Sequence, residues 1–378
     1  MQVFFLLLFW GLWLFNFSSR IVISPLLPII EDELAISHAR AGSLFFLFSI
    51  GYTSMLLLGG LISARIGHKR PILLGYLIMA GSLVCLRYAQ TYPSFGTICF
   101  FIGLGSGIYM PCAVPLITST FRRDNWGKAL AFHETAPSLA SVSIPILTVF
   151  ALRFLHWRDV FVILPGALMM ITIVFWIFGP DPDPPEEKKA PHSSLLRRID
   201  FWIMAAIWLF GTMNLPGLYS ITPLFLVKER MMNIEVANTV FGFSRVGGIA
   251  ATILIGFVLD RYDIKKILLI VLLTSGLSTI GLALAHKFWI LVVMLFIQPT
   301  IGMAFFPIGL MAISRITSVN ERGIFTGTAL SLAAMGGMGL APLCLGAVAD
   351  AWSFQVGILL MGIATMVSCV FLKGLKGL

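Results

Sequence analysis

The sequence predicts an all-α polytopic membrane protein, with twelve transmembrane helices in two six-helix halves. Three observations carry that expectation. Of 378 residues, 58% are hydrophobic and 11% charged, whereas a soluble domain carries about 25% charged residues, and mean hydropathy is +0.95. Apolar stretches of spanning length recur along the whole chain. A single long polar interruption divides them six and six. At about 20 apolar residues per span, twelve spans use roughly 240 residues and leave about 138 for loops and ends. A transmembrane β-barrel needs short segments of alternating polarity, but Ile267 to Ala285 and Phe288 to Ala312 are apolar on every face.

In order, the spans are expected near 3–30, 39–62, 71–88, 95–118, 127–152, 159–179, 200–226, 236–259, 266–285, 288–312, 323–347 and 353–373. The N-terminal segment has no basic n-region and no small-residue cleavage site, so it reads as the first span and not as a signal peptide. The polar interruption begins at Gly179 and Pro180 and runs on to Asp200. Its proline and charge content marks a linker, which gives an N-terminal half 1–179, a linker 180–199 and a C-terminal half 200–378.

Lysine and arginine total 26 against 17 acidic residues, a formal charge of +9. These cations are scattered in small clusters between apolar runs, so nucleic-acid binding is not expected. Seventeen fall in the loops on the side of the termini and linker and seven in the opposite loops. The positive-inside rule then predicts a cell-membrane protein with both termini cytoplasmic. Five cysteines, all inside apolar runs, show no CxxC spacing and no neighbouring histidine. They read as inert core residues, and neither a metal nor a cofactor is expected. No Walker-type loop, HExxH or GxSxG appears, so neither an ATP-driven pump nor an enzyme is predicted.

The two halves overlay at an offset of about 195. Gly60, Arg65, Lys69 and Arg70 fall on Gly256, Arg261, Lys265 and Lys266, and Pro28, Gly107, Gly127 and Trp157 on Pro223, Gly302, Gly323 and Trp352. Together these matches argue for a duplicated six-helix unit. On these residues the chain resembles the major facilitator superfamily over essentially its whole length. The family's loop signature, Gly-x-x-x-Asp-Arg-x-Gly-x-Arg/Lys, is visible as Gly60, Arg65, Gly67, Lys69 and Arg70, and again as Gly256, Asp260, Arg261, Lys265 and Lys266. Ala64 replaces the usual Asp in the first copy, and Asp263 stands where the first copy has Gly67. The resemblance implies that these loops help to hold a cytoplasmic gate closed, and that the protein works as a monomer by alternating access.

Two arginines, Arg20 and Arg245, fall inside spans, where a charge costs about 2.5–3.5 kcal/mol on insertion scales and normally faces a cavity. Asn16, Ser19 and Arg20 share one face by helical spacing, and glycines flank Arg245. Two forked guanidiniums suit a carboxylate, phosphate, sulfonate or nitrate. The alternative is that each arginine is paired structurally. Among acidic residues Glu134 is read as the one clearly within a span. It is a candidate proton carrier, since burial and neighbouring arginine shift a carboxyl in opposite directions, or else an inner-gate ion pair. His133 points roughly 100° away on a helix, so the two need not share a site.

By resemblance, the first, fourth, seventh and tenth spans line a central cavity. That nominates Asn16, Ser19, Arg20, Tyr109, Asn214, Tyr219 and Gln298, with nearby Pro and Gly kinking those helices. The run from Arg20 through Ser24-Pro25-Leu26-Leu27-Pro28 to Leu34 resembles the family's anion-handling branches. The fifth span, with His133-Glu134-Thr135-Ala136-Pro137, departs from the multidrug antiporters, and Phe178-Gly179-Pro180 replaces the sugar-porter signature. The expected function is secondary transport of a small anion, coupled to protons. An exporter of hydrophobic or cationic compounds and a non-transporting membrane sensor are the alternatives.

Overall fold

A computed structural model describes residues 2–182, 197–259 and 261–375. Among them are eleven helices long and apolar enough to cross a membrane: α1 Gln2–Leu34, α2 His38–Ile66, α3 Lys69–Leu86, α4 Tyr92–Thr120, α5 Arg123–Leu152, α6 Trp157–Phe178, α7 Ile199–Lys228, α9 Ile264–Leu284, α10 Phe288–Ile316, α11 Glu321–Ala351 and α12 Phe354–Gly374. The twelfth segment, α8, is formed by Ile234–Phe243 and Val246–Leu259, separated by a turn at Ser244 and Arg245. The order and approximate bounds follow the hydropathy pattern. Several helices run a turn further than that pattern suggests, because a helix satisfies its own backbone groups beyond the apolar belt. Several acidic residues thereby become helical, among them Glu31, buried in α1, and Asp350 in the last turn of α11. Glu134 is therefore not alone among acidic residues within the spanning helices.

Proline explains where helices break. It lacks an N–H and its ring crowds the carbonyl four residues back, and the interruption follows just after that carbonyl. Pro25 breaks α1 at Val22, Pro111 breaks α4 at Ile108, and Pro137 breaks α5 at Glu134. Pro216 accompanies a π-turn at Met213–Gly217 in α7, a feature that often marks functional positions. At Pro299 and Pro307 the helical assignment of α10 continues without interruption.

The chain divides into two compact units, Met1–Ile36 with Leu47–Glu187, and Ser37–Phe46 with Lys188–Leu378. In the first, α2 and α4 approach backbone to backbone through small residues, as membrane helices do in the absence of a hydrophobic drive. A side chain at Gly103 would run into the Phe48 carbonyl. The second packs α9 on α12 across Gly276 and Gly362, around a core including Trp208, Leu268, Phe305 and Phe325.

The sequence repeat reappears as matched hydrogen bonds inside each unit. Lys69 Nζ donates to the Gly179 carbonyl at 2.8 Å, and Lys265 Nζ donates to the Leu375 carbonyl at 2.7 Å. Each lysine thus caps the C-terminal end of the sixth helix of its unit, where carbonyls lack partners and the helix dipole favours a cation. At the opposite ends, Glu33 accepts from Trp157 Nε1 and Arg158, and Glu229 accepts from the amides of Phe354 and Gln355. A carboxylate ending the first helix of each unit therefore holds the start of the sixth. An arginine then caps the third, Arg158 at the Ala89 carbonyl and Arg230 at that of Ala283. Lys69→Met and Lys265→Met should each lower stability by about 0.3–1 kcal/mol and their effects should add, as read from thermal unfolding of the single and double variants.

Candidate functional site

Within the first unit, Arg20 lies half-buried one turn before the Pro25 break, its guanidinium over the rings of Tyr52 (4.5 Å), Phe17 (4.9 Å) and Trp13 (5.7 Å). Within the second, Arg245 sits in the turn that interrupts α8, over Phe241 (4.6 Å) and Tyr219 (4.8 Å), whose rings are themselves 4.6 Å apart. Arg245 is 7% exposed, and its Nε has no hydrogen-bond partner among the described residues. The two arrangements are reciprocal. The first unit takes its arginine from its first helix and its tyrosine from its second, and the second unit reverses the assignment. At the repeat offset each arginine falls within about a turn of the other unit's tyrosine. An arginine seated on a ring face keeps in-plane N–H donors able to grip an anion, and gains about 0.5–2 kcal/mol from the ring.

The structure does not bring Asn16, Ser19 and Arg20 together at one open face. Asn16 is fully buried and exchanges hydrogen bonds with Ser106 of α4: Ser106 Oγ donates to its Oδ1 at 2.7 Å, and its Nδ2 donates to the Ser106 carbonyl at 3.4 Å. Ser19 donates to the Phe15 carbonyl one turn back. These bonds satisfy both side chains inside the helix packing, which spacing on a single helix cannot reveal. Asn214 and Gln298 are likewise occupied. Asn214 donates to the Phe210 carbonyl and to Thr365, and accepts from Thr279 Oγ1 at 2.7 Å; Gln298 donates to the Asn214 carbonyl at 2.6 Å. This buried knot joins α7, α9, α10 and α12 of the second unit.

Tyr109 and Glu134 belong to one cluster with a residue the sequence did not single out for function. His133 is 1% exposed, its Nε2 lies 2.9 Å from Tyr109 Oη, and its Nδ1 lies 3.0 Å from Glu134 Oε1. His133 and Glu134, which helical spacing left free to diverge, thus meet. The flexible glutamate side chain curls back onto its neighbour at the turn opened by Pro137. Trp13 stacks on Tyr109 at 5.2 Å and on His133 at 5.7 Å, and Glu134 remains about half exposed. Tyr52, Trp13, Phe17 and Phe241 are the other missed residues. The repeat offset hinted at Tyr52, while the rest are aromatics indistinguishable in sequence from core.

The loop residues are distributed differently. Gly60 and Arg65 lie in α2, Gly67 takes a positive φ of 82° at the turn into α3, and Lys69 and Arg70 open α3. Gly256 lies in the second part of α8, Arg261 follows in a turn, and Asp260 lies outside the described residues. Of the linker 180–199, residues 183–196 also lie outside them.

A family model, that of the Major Facilitator Superfamily, matches residues 8–285 and 217–376. The probable sulfoacetate transporter SauU of Cupriavidus necator is 23% identical over 165 residues, 44% of this chain and 38% of that protein. A hexuronate transporter of Bacillus subtilis is 24% identical over 266 residues, 66% and 62% of the two chains. The chloramphenicol resistance protein CraA of Acinetobacter baumannii is 25% identical over 289 residues, 71% and 68%. The match thus spans well under half the length of the first of these relatives. A solved structure of a bacterial homolog to the human lysosomal transporter Spinster, inward-facing and occupied, superposes with a TM-score of 0.85 at 16% identity, over 98% of this chain and 96% of that one. Identity that low speaks for the fold.

Proposed function

Because this chain belongs to the Major Facilitator Superfamily of membrane transporters, we propose that it is a proton-coupled secondary transporter of a small organic or inorganic anion, working as a monomer by alternating access. The observation that carries this reading is Arg245: a guanidinium 7% exposed, resting on Tyr219 and Phe241, with no ion pair among the described residues. A desolvated cation without a counter-charge is costly, and two ring faces offset only part of that cost. A bound anion supplies the rest. Arg20 with Tyr52 is the reciprocal station in the first unit, and the names of the sulfoacetate and hexuronate relatives agree with an acid anion. The Lys/Arg bias supports cytoplasmic termini, and the capping bonds of Lys69 and Lys265 tie each signature loop to the sixth helix of its own unit.

The relative named for chloramphenicol resistance supports a second reading, export of hydrophobic compounds. Thermal unfolding of the detergent-purified protein with sulfoacetate, hexuronate, phosphate, chloramphenicol and a lipophilic cation separates the two, since a ligand of the folded state raises apparent stability by about 2.7 kcal/mol at a hundred times its Kd. Stabilisation by an acid anion, lost in Arg245→Met, is the expected result. Stabilisation by chloramphenicol or the lipophilic cation alone would overturn the anion reading.

A further inference from the structure

We propose that Glu134, His133 and Tyr109 form a store for one proton, with His133 as the group that holds it. Three short contacts run in series: Glu134 Oε1 to His133 Nδ1 at 3.0 Å, His133 Nε2 to Tyr109 Oη at 2.9 Å, and Tyr109 Oη to the Phe9 carbonyl at 3.0 Å. Each needs its own hydrogen, because two lone pairs at that separation repel. A tyrosine hydroxyl supplies one and a neutral imidazole one, while a carboxylate supplies none and the carbonyl only accepts. Two hydrogens cannot make three bonds. The chain as arranged therefore carries one more proton than neutral histidine with ionised glutamate.

That proton belongs on the imidazole, the more basic group, beside a carboxylate that is half exposed and hydrated. Tyr109 donates to the Phe9 carbonyl, His133 Nε2–H donates to Tyr109 Oη, and His133 Nδ1–H donates to Glu134. The stacked indole of Trp13 adds a ring face to the imidazolium. The titratable and charged groups around it are Glu134 on its own helix, Tyr109 of α4 with Tyr76 of α3 behind it, and Arg20 of α1, which reaches the same indole. The continuation of α5 contributes Thr135, whose Oγ1 accepts from Trp10 of α1.

When the proton leaves, it passes from Nδ1 to Glu134 and then to solvent, and two hydrogens remain: His133 Nε2–H on Tyr109 Oη and the Tyr109 O–H on the Phe9 carbonyl. The Nδ1–Glu134 contact is left with lone pairs facing each other, so the half-exposed carboxylate turns away from the ring. Trp13, which stacks on this imidazole and also faces the Arg20 guanidinium, links the change in charge to the proposed anion station. In this use the inference rests on the proton-coupled reading, whereas the proton count stands without it.

The test is nitrogen NMR of the full-length protein in lipid nanodiscs, with its six histidines labelled at the ring nitrogens and spectra taken from mildly acidic to alkaline pH. One histidine, identified by its loss in His133→Asn, should show both nitrogens protonated and then lose a single proton as pH rises. In Glu134→Gln the doubly protonated signal should be lost at a pH where the unaltered protein shows it, since the carboxylate that accepts from Nδ1 is gone. Should His133→Asn fail to fold, that loss in the half-exposed Glu134→Gln variant identifies the signal by itself. A His133 singly protonated throughout, or one indifferent to Glu134→Gln, would overturn the proposal. Failure of every anion to stabilise the protein would sink the transport reading while leaving this titration unchanged.

Discussion

Replacing Arg245 by methionine should weaken anion binding on the order of 100-fold, the scale expected when one partner of a desolvated charge pair is removed, while leaving the ligand-free protein as stable as before or more so. The two effects run in opposite directions for one reason. Arg245 is buried on Tyr219 and Phe241 with no ion pair among the described residues, so the empty site bears the desolvation cost of the guanidinium and the bound anion relieves it. Methionine fills similar space without the charge. Arg245→Lys should recover only part of the affinity, because an ammonium neither lies flat on the rings nor offers a fork. Thermal unfolding with and without the stabilising anion reads both effects. A large loss of stability in ligand-free Arg245→Met would assign Arg245 to the packing of α8.

Asn214→Leu should destabilise the second unit by about 1–3 kcal/mol, the sum of two cross-helix hydrogen bonds at the strength measured between membrane helices. The figure stays modest because Thr279 and Thr365 keep bonds to the carbonyls of Ser275 and Met361 in their own helices, and Gln298 still reaches a backbone carbonyl at residue 214. Anion affinity measured on the fraction that folds should be unchanged. A selective loss of affinity with stability intact would return Asn214 and Gln298 to the binding site.

The separation of these two roles shows how far the sequence could be read. Arg20, Arg245 and Glu134 stood out because a charge inside an apolar run has few explanations. Tyr219 was nominated through its position in the seventh span, and the structure places it under Arg245. Asn16, Ser19, Asn214 and Gln298 were nominated by the same reasoning and turn out to be spoken for by Ser106, Phe15, Thr279 and Thr365. A polar side chain looks the same in sequence whether it faces a cavity or a neighbouring helix. His133 was set aside because adjacent residues diverge on a regular helix, and Pro137 makes this helix irregular at that point.

What the sequence determined by itself is the order of the apolar spans and the internal repeat. These depend on hydropathy over windows of about 20 residues and on matched glycines, prolines and basic loops, all of which are local quantities. The matched caps of Lys69 and Lys265 show that the repeat carries through to individual bonds. Only the tertiary structure decided which aromatic ring lies beneath each arginine, which polar groups satisfy one another, and that a histidine, a glutamate and a tyrosine lie in series within hydrogen-bond distance. Those outcomes depend on which faces of separate helices meet, and contact between residues from about twenty to about 150 positions apart leaves no periodic trace in the chain.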